Sequence, residues 1–179
     1  MKINRRLALG VVASVPAGVL LARAGVAALG DTSVPATNPL HRFVGSWHGD
    51  VTVQRTGSEA VTYRQDNRFA WVLGNRFLEE RGHDTNNSSF MGIWAFDEKA
   101  NKYQAHYFIA PSGDVIVLAH VWDESKQSFT GSADLPGGLR MLAEDHFLGP
   151  DAYVWTITLQ DSQRATLMRT QGKERRVRP

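Results

Sequence analysis

The sequence predicts an all-β fold: roughly ten antiparallel strands in an up-and-down, calycin-like β-barrel, with one short N-terminal helical turn. From residue 46 onward, stretches rich in Val, Ile, Thr, Tyr, Phe and Trp alternate with Gly, Asn, Asp and Ser turns. Nearly all of these breaks have hairpin length, which favours strands that pair with their neighbours along the chain. Residues 37–44 form the one helical window, so closing the sheet on itself is the way to remove its edges.

The turn signals divide the chain into ten predicted strands and three flanking segments. The predicted strands span residues 46–54, 60–72, 76–83, 90–97, 102–110, 115–122, 128–135, 140–148, 152–159 and 164–171. The barrel domain is therefore expected over residues 39–171, after a linker at residues 29–38. Residues 172–179 contain four bases and one acid and are predicted to form a solvated basic tail.

Residues 1–28 are predicted to be a signal peptide. Lys2, Arg5 and Arg6 precede an apolar run that is short for a membrane span, and small residues follow it. We expect cleavage near Ala27 and Ala28, a periplasmic or secreted product, and no stable membrane insertion afterwards. The arginine pair leaves the twin-arginine and general secretory routes both open.

The charge distribution argues against a nucleic-acid partner, and the lack of cysteine indicates how the domain is stabilised. Loss of residues 1–28 removes four bases and no acid, so the formal net charge changes from +2 to −2. The basic character of the whole chain thus belongs to its two ends, and no nucleic-acid partner is expected. The chain has no cysteine, so the mature domain must be stabilised by a core, which about 150 residues suffice to form.

Turn lengths and period-two alternation predict which side chains face the interior. We expect Phe96 to pair with Tyr103, Ala110 with Val115, and Trp122 with Phe129. The predicted inward side chains that could contact a ligand are Trp94, Tyr107, His120, Trp122 and Trp155.

The ninth predicted strand extends this interior and raises a question of register. Pairing across residues 149–151 places Trp155 inside, opposite Glu144 and His146. A single β-bulge would turn Glu144 and His146 outward.

Gly45, Ser46 and Trp47 after a short helix, with Arg169 on the final predicted strand, resemble the structural signature of the calycins, the superfamily of lipocalins and fatty-acid-binding proteins. The resemblance implies that Trp47 closes the base of the barrel and that Arg169 packs across it through a cation–π contact.

Residues 44–49, 71–80, 92–97 and 121–123 resemble, in order, an exported bacterial family called domain of unknown function 1579. Its motifs consist of apolar and turn residues, so the resemblance implies fold and export rather than an activity.

Residues 162–169 resemble the last strand of nitrobindin-like haem barrels, in which a histidine ligates the iron. Ser162 stands in the place of that histidine. Since an axial ligand is indispensable, haem binding is disfavoured, and no cofactor is expected.

Polar candidates for chemistry are few. The six histidines lack metal-site spacing, so no metal site is expected. One of Glu79 and Glu80 must face inward, either as an internal ion pair or as a carboxyl group with a raised pKa beside a ligand.

Three functions remain open. The leading hypothesis is an exported protein that binds a small apolar or aromatic molecule in its lumen. The alternative is a cofactor-independent lyase, cyclase or isomerase that uses an inward pair of His120 with Glu79 or Glu144, with His146 as a further candidate. The third is a filled barrel that acts through its surface. The oligomeric state is left open.

Overall fold

The structure, a computed structural model, describes residues 38–178, which form a closed antiparallel barrel of ten strands. Each strand pairs with its neighbours along the chain, and the first strand pairs with the last. This arrangement confirms the predicted all-β, up-and-down barrel with one short helix before it. The predicted signal peptide and nearly all of the predicted linker lie outside the described residues.

The strand bounds agree closely with the predicted ones except at the C-terminal side. The strands are β1 Gly45–Arg55, β2 Val61–Val72, β3 Phe77–Asp84, β4 Ser89–Asp97, β5 Lys102–Ala110, β6 Asp114–Asp123, β7 Ser128–Asp134, β8 Arg140–Gly149, β9 Ala152–Gln160 and β10 Thr166–Arg176. A 3₁₀ helix at Pro39–Phe43 precedes β1, and a 3₁₀ turn at Pro136–Gly138 precedes β8. In the described part of the chain, no helix is long and apolar enough to cross a membrane.

The predicted basic tail is wrong for most of its length, because β10 continues to Arg176 and pairs with both β1 and β9. The side chains of Thr170 and Glu174 are buried, whereas Lys173 between them is exposed. The inward positions of this strand segment are thus largely polar, and the outward ones are charged. A strand with polar inward side chains and charged outward side chains cannot be told from a solvated tail by its sequence.

Register sets which side chains enter the lumen. Phe96 pairs with Tyr103, and Trp122 with Phe129, as predicted. Val115 pairs with Phe108 instead of Ala110, a shift of two residues that leaves every face unchanged. An irregularity in strand pairing between Phe147 and Gly149 does change the faces. It exchanges the inward and outward side chains of β8 relative to the prediction.

The 3₁₀ helix closes one end of the barrel, which we call the plug end. Asn38 caps the helix by accepting a hydrogen bond from the Leu40 backbone N–H at 3.0 Å. Leu40 and Phe43 are each 1% exposed. The Phe43 ring packs within 4.8–5.7 Å of aromatic rings from five strands: Phe69, Trp94, Phe129, Phe147 and Tyr153. A short apolar helix thus forms the centre of the core.

Trp47 and Arg176 lock the plug helix to the barrel. The buried Trp47 indole donates a hydrogen bond to the Phe43 carbonyl oxygen at 2.6 Å. The Arg176 guanidinium lies 4.1 Å from the centre of the Trp47 ring and donates to the carbonyl oxygens of Val44 and Arg42. Gly45, with φ of +126°, is needed here because a Cβ at that position would lie 2.7 Å from the guanidinium.

The closing arginine was therefore predicted at the wrong position. Arg169 is exposed and lies opposite Gln54 and Thr158, toward the other end of the barrel. Arg176 lies directly opposite Trp47. The prediction failed because it ended the last strand at residue 171, and Arg169 is the last arginine before that point.

Candidate functional site

Four inward rings lie flat against the barrel wall, each over a glycine directly opposite on the neighbouring strand. The pairs are Phe90 with Gly82, Tyr107 with Gly92, His120 with Gly131, and Trp155 with Gly172. A Cβ added to any of these glycines would come within 3 Å of the ring that covers it. Glycine opposite a ring lets the ring rest on the backbone, so these four rings lie close to the barrel wall.

Several inward side chains retain contact with solvent at the end opposite the plug, which we call the far end. Phe90, Ile109, Ile116 and Ile157 share the inward face with buried residues, yet each is partly exposed. Partial exposure of these inward apolar side chains shows that solvent reaches this end of the barrel interior. A small apolar molecule could therefore enter past these side chains.

Glu80 is a buried carboxyl group that accepts two hydrogen bonds inside the barrel. Its carboxyl oxygen Oε2 accepts hydrogen bonds from Trp94 Nε1 and from the Tyr107 hydroxyl, both at 3.1 Å. Burial raises its pKa to about 7, against the opposite effect of these two hydrogen bonds. Glu80 can therefore hold or release a proton near neutral pH.

His120 packs on Trp94 with its ring centre 4.6 Å from that of the indole. The side chain is 1% exposed, and its Nδ1 atom has no hydrogen-bond partner within residues 38–178. Burial lowers its pKa to about 4, although the neighbouring Leu118 backbone acts in the other direction. The imidazole is thus neutral at physiological pH and has an unused nitrogen.

Glu174 and Asp145 bring two more carboxyl groups to the interior. Glu174 is fully buried, and its Oε1 accepts a hydrogen bond from Trp155 Nε1 at 3.2 Å. Its Oε2 is buried without a partner among the described residues. Burial raises the pKa of Glu174 to about 7 and that of Asp145 to about 8, where Glu80 adds a repulsive contribution.

The structure brings together some of the predicted site residues and separates others. Trp94, Tyr107, His120 and Trp155 line the same interior. Trp122 faces the plug end, where it packs against Phe129 and donates a hydrogen bond to Glu124 at 2.7 Å.

Three of the four acid–base candidates point outward. Glu79 forms a two-pronged pair with Arg81, with nitrogen–oxygen distances of 2.7 and 2.9 Å. Glu144 and His146 face outward because of the irregularity at the end of β8, and Asp145 takes the inward position. Of the predicted His/Glu pairs, only His120 remains inside, and it meets Glu80 through their shared neighbour Trp94.

Sequence reasoning missed Glu174 entirely and did not choose between Glu79 and Glu80. One signal could have found Glu80 and Glu174, since both of these carboxyl groups lie opposite a glycine. Glu80 pairs with Gly92 and Glu174 with Gly49, and a Cβ at either glycine would meet the carboxyl group within about 3 Å. Among the described residues, no group of three or more His, Asp or Glu side chains is placed to hold a metal ion.

No protein-family model matches the chain, and no curated protein sequence matches it. Solved structures do. The Rv2717c protein of M. tuberculosis superposes with a TM-score of 0.63 at 14% identity, over 80% of this chain and 98% of that one. The S-type phycobiliprotein lyase CpeS of Guillardia theta gives 0.56 at 12% identity, over 78% and 90%.

A third structure shares the barrel as part of a longer chain. It is a protein of unknown function of the DUF3598 family from Nostoc punctiforme, with a TM-score of 0.59 at 10% identity over 77% of this chain. The matched region spans about half, 49%, of that chain. At such identities the likeness concerns the fold alone. The chain has the fold of a closed, calycin-like β-barrel.

Proposed function

We propose that the protein binds a small apolar or aromatic molecule in its lumen, against the wall formed by Trp94, Tyr107, His120 and Trp155. The observation that carries this proposal is the set of four inward rings packed directly over glycines of the neighbouring strands, which places large ring surfaces against the inner wall. The partly exposed isoleucines of the far end supply a route of entry. One of the similar folds is a phycobiliprotein lyase by name, which is compatible with small-molecule binding on such a barrel.

Orientation of the ligand would come from the unused polar atoms inside. A buried polar atom without a partner is costly, by about 1–3 kcal/mol, and His120 Nδ1 and Glu174 Oε2 are two such atoms. A ligand that offers hydrogen-bond donors toward them would recover that cost. Flat apolar surface with a few converging polar groups is the usual composition of a small-molecule site.

The first test is native mass spectrometry of protein purified from its own host, compared with the variant His120→Phe. We expect the wild type to retain a small molecule. His120→Phe keeps an aromatic ring over Gly131 but deletes the ring nitrogens, so it should fold and lose most of that molecule. Phe108→Leu, on the exposed outer face of β5, serves as control and should retain it. Equal retention by His120→Phe would remove His120 from the site, and an empty wild-type lumen would contradict binding.

We also propose that the chain is an exported member of the family that its motifs resemble, domain of unknown function 1579. The motif residues 44–49, 71–80 and 92–97 lie in or beside β1, β2, β3 and β4. Export rests on residues 1–28 of the sequence.

N-terminal sequencing of the protein from its own host tests export. The mature chain should begin near Ala28 or Leu29, because the small residues before that point suit a signal peptidase. Periplasmic and cytosolic fractions should be compared, with the processed form in the former. Recovery of the whole protein from the cytosol with Met1 in place would contradict export.

A further inference from the structure

Three carboxyl groups face one region of the lumen. Glu80, Asp145 and Glu174 come from β3, β8 and β10. Burial raises the pKa of the Tyr153 hydroxyl most, and the charges of these three acids raise it further. The charge of Glu174 also raises the pKa of Glu80, and the charge of Glu80 raises the pKa of Asp145, although burial is the larger cause in both. The interior therefore concentrates acidic groups around a single aromatic ring.

Within residues 38–178, none of these carboxyl groups forms an ion pair. The ion pairs within residues 38–178 involve other acids, such as Arg81 with Glu79 and Arg176 with Asp151. Arg176 does face inward, but its guanidinium is engaged at the plug by the Val44 and Arg42 carbonyl oxygens. Buried acids are ordinarily paired with a base in the same chain, and here that base is missing from the described part of the protein.

His120 adds a separate polar group on the inward face, joined to Glu80 through Trp94, which packs on the imidazole and donates a hydrogen bond to the carboxyl oxygen. His120 Nδ1 is unpartnered, fully enclosed and on the same inward face. Because the imidazole is held neutral, this nitrogen can accept a hydrogen bond whenever the proton is on Nε2. Together with Glu174 Oε2, the lumen thus offers two unused acceptor positions.

We propose that the molecule bound in the lumen is an aromatic or apolar amine, whose protonated nitrogen lies among Glu80, Asp145 and Glu174. The inference rests on the proposed function and names the chemical class of its ligand. The amine would supply hydrogen-bond donors to Glu174 Oε2 and to the free oxygen of Glu80, and its positive charge would favour the ionised form of these acids. The faces of Trp94 and Trp155 would add cation–π attraction. The same acids would repel a carboxylate or phosphate ligand.

Isothermal titration calorimetry with three indoles of similar shape tests the charge. The probes are tryptamine, which is a cation at pH 7.5, the neutral alcohol 3-(2-hydroxyethyl)indole, and indole-3-propionate, an anion. The protein is first refolded from urea so that no retained molecule competes. Each probe is titrated into the wild type and into Glu80→Gln, Glu174→Gln and Glu79→Gln. Glu79 is the matched control because it neighbours Glu80 on β3 but faces outward to Arg81.

We expect the amine to bind about tenfold more tightly than the alcohol, the size of one charge-assisted hydrogen bond, and the anion to bind most weakly. Glu80→Gln and Glu174→Gln should each weaken tryptamine by about five- to tenfold and weaken the alcohol less, because the alcohol loses no charge-assisted hydrogen bond. A far-UV circular dichroism spectrum equal to that of the wild type shows that these variants fold. Glu79→Gln should behave as the wild type.

Two outcomes would overturn the amine inference, and only one of them would also contradict the proposed binding function. If the alcohol binds as tightly as the amine, or the anion binds best, the lumen does not select a cation, and the proposed binding function still stands. If none of the three probes binds at millimolar concentration, both the amine inference and the lumen-binding proposal fail.

Discussion

We expect Trp47→Ala to lower the free energy of unfolding by about 3–5 kcal/mol, the usual cost of removing a buried large side chain. Trp47 is 1% exposed, donates to the Phe43 carbonyl oxygen and meets the Tyr153 ring edge-on at 4.9 Å. Its loss would open a cavity at the plug end and release the 3₁₀ helix at the same time.

Arg176→Ala should cost on the order of 2 kcal/mol, because it removes the cation over Trp47 and the hydrogen bonds to the Val44 and Arg42 carbonyl oxygens. In urea unfolding, the double variant should be more stable than the sum of the two losses predicts, by about 1 kcal/mol, since contacting residues are coupled. Arg169→Ala is the matched control on the same strand and should change stability by less than about 0.5 kcal/mol. Additive losses for Trp47 and Arg176 would mean that the pair does not lock the plug.

The second large effect concerns pH. Glu80, Asp145 and Glu174 have folded pKa values of about 7, 8 and 7, above the values of 4.5, 3.8 and 4.5 expected for the unfolded chain. Between those limits the folded state binds more protons, so stability must fall as pH rises. His120 acts in the opposite sense below pH 6.5, because its folded pKa is about 4. Above pH 6.5 only the carboxyl groups remain, and we expect stability to fall steadily from pH 6.5 to about 8.

Glu80→Gln isolates one of these contributions. Glutamine keeps an oxygen for Trp94 and Tyr107 but cannot ionise, so the variant should lose less stability between pH 6.5 and 8 than the wild type does. A pKa shift from 4.5 to about 7 corresponds to about 3 kcal/mol when titration is complete. Urea unfolding at pH 5, 6.5 and 8 measures the difference, with Glu79→Gln as control. Parallel curves for wild type and Glu80→Gln would show that Glu80 is not held protonated by the fold.

Much of the barrel was predictable because hairpin turns and period-two alternation determine strand number and facing together. Trp94, Tyr107 and His120 were placed on the inner face from turn lengths, and the pairs Phe96 with Tyr103 and Trp122 with Phe129 have the expected register. A two-residue error at the β5–β6 turn did no harm, since it preserves the face of every side chain.

The inward carboxyl groups were harder to predict from the sequence than the inward aromatic rings. Because of the irregularity in β8, Asp145 and not Glu144 lies on the inner face, and no residue type in that strand predicts the irregularity. In β10 the usual pattern is reversed, since Gly172, Glu174 and Arg176 face inward while Lys173 and Arg175 face outward. Apolar alternation cannot locate such a strand, because its inward side chains are stabilised by specific partners and not by hydrophobicity.

The pairing of β1 with β10 has a consequence for the order of folding. It joins Trp47 to Arg176 across nearly the whole barrel sequence, whereas the other pairings link strands adjacent along the chain and can form locally. Until β10 arrives, β1 and β9 are open edges able to pair with another chain. The time between completion of the local hairpins and docking of the last strand is therefore when a newly made chain is most exposed to aggregation, and a chaperone that covers the β1 edge would act in that interval.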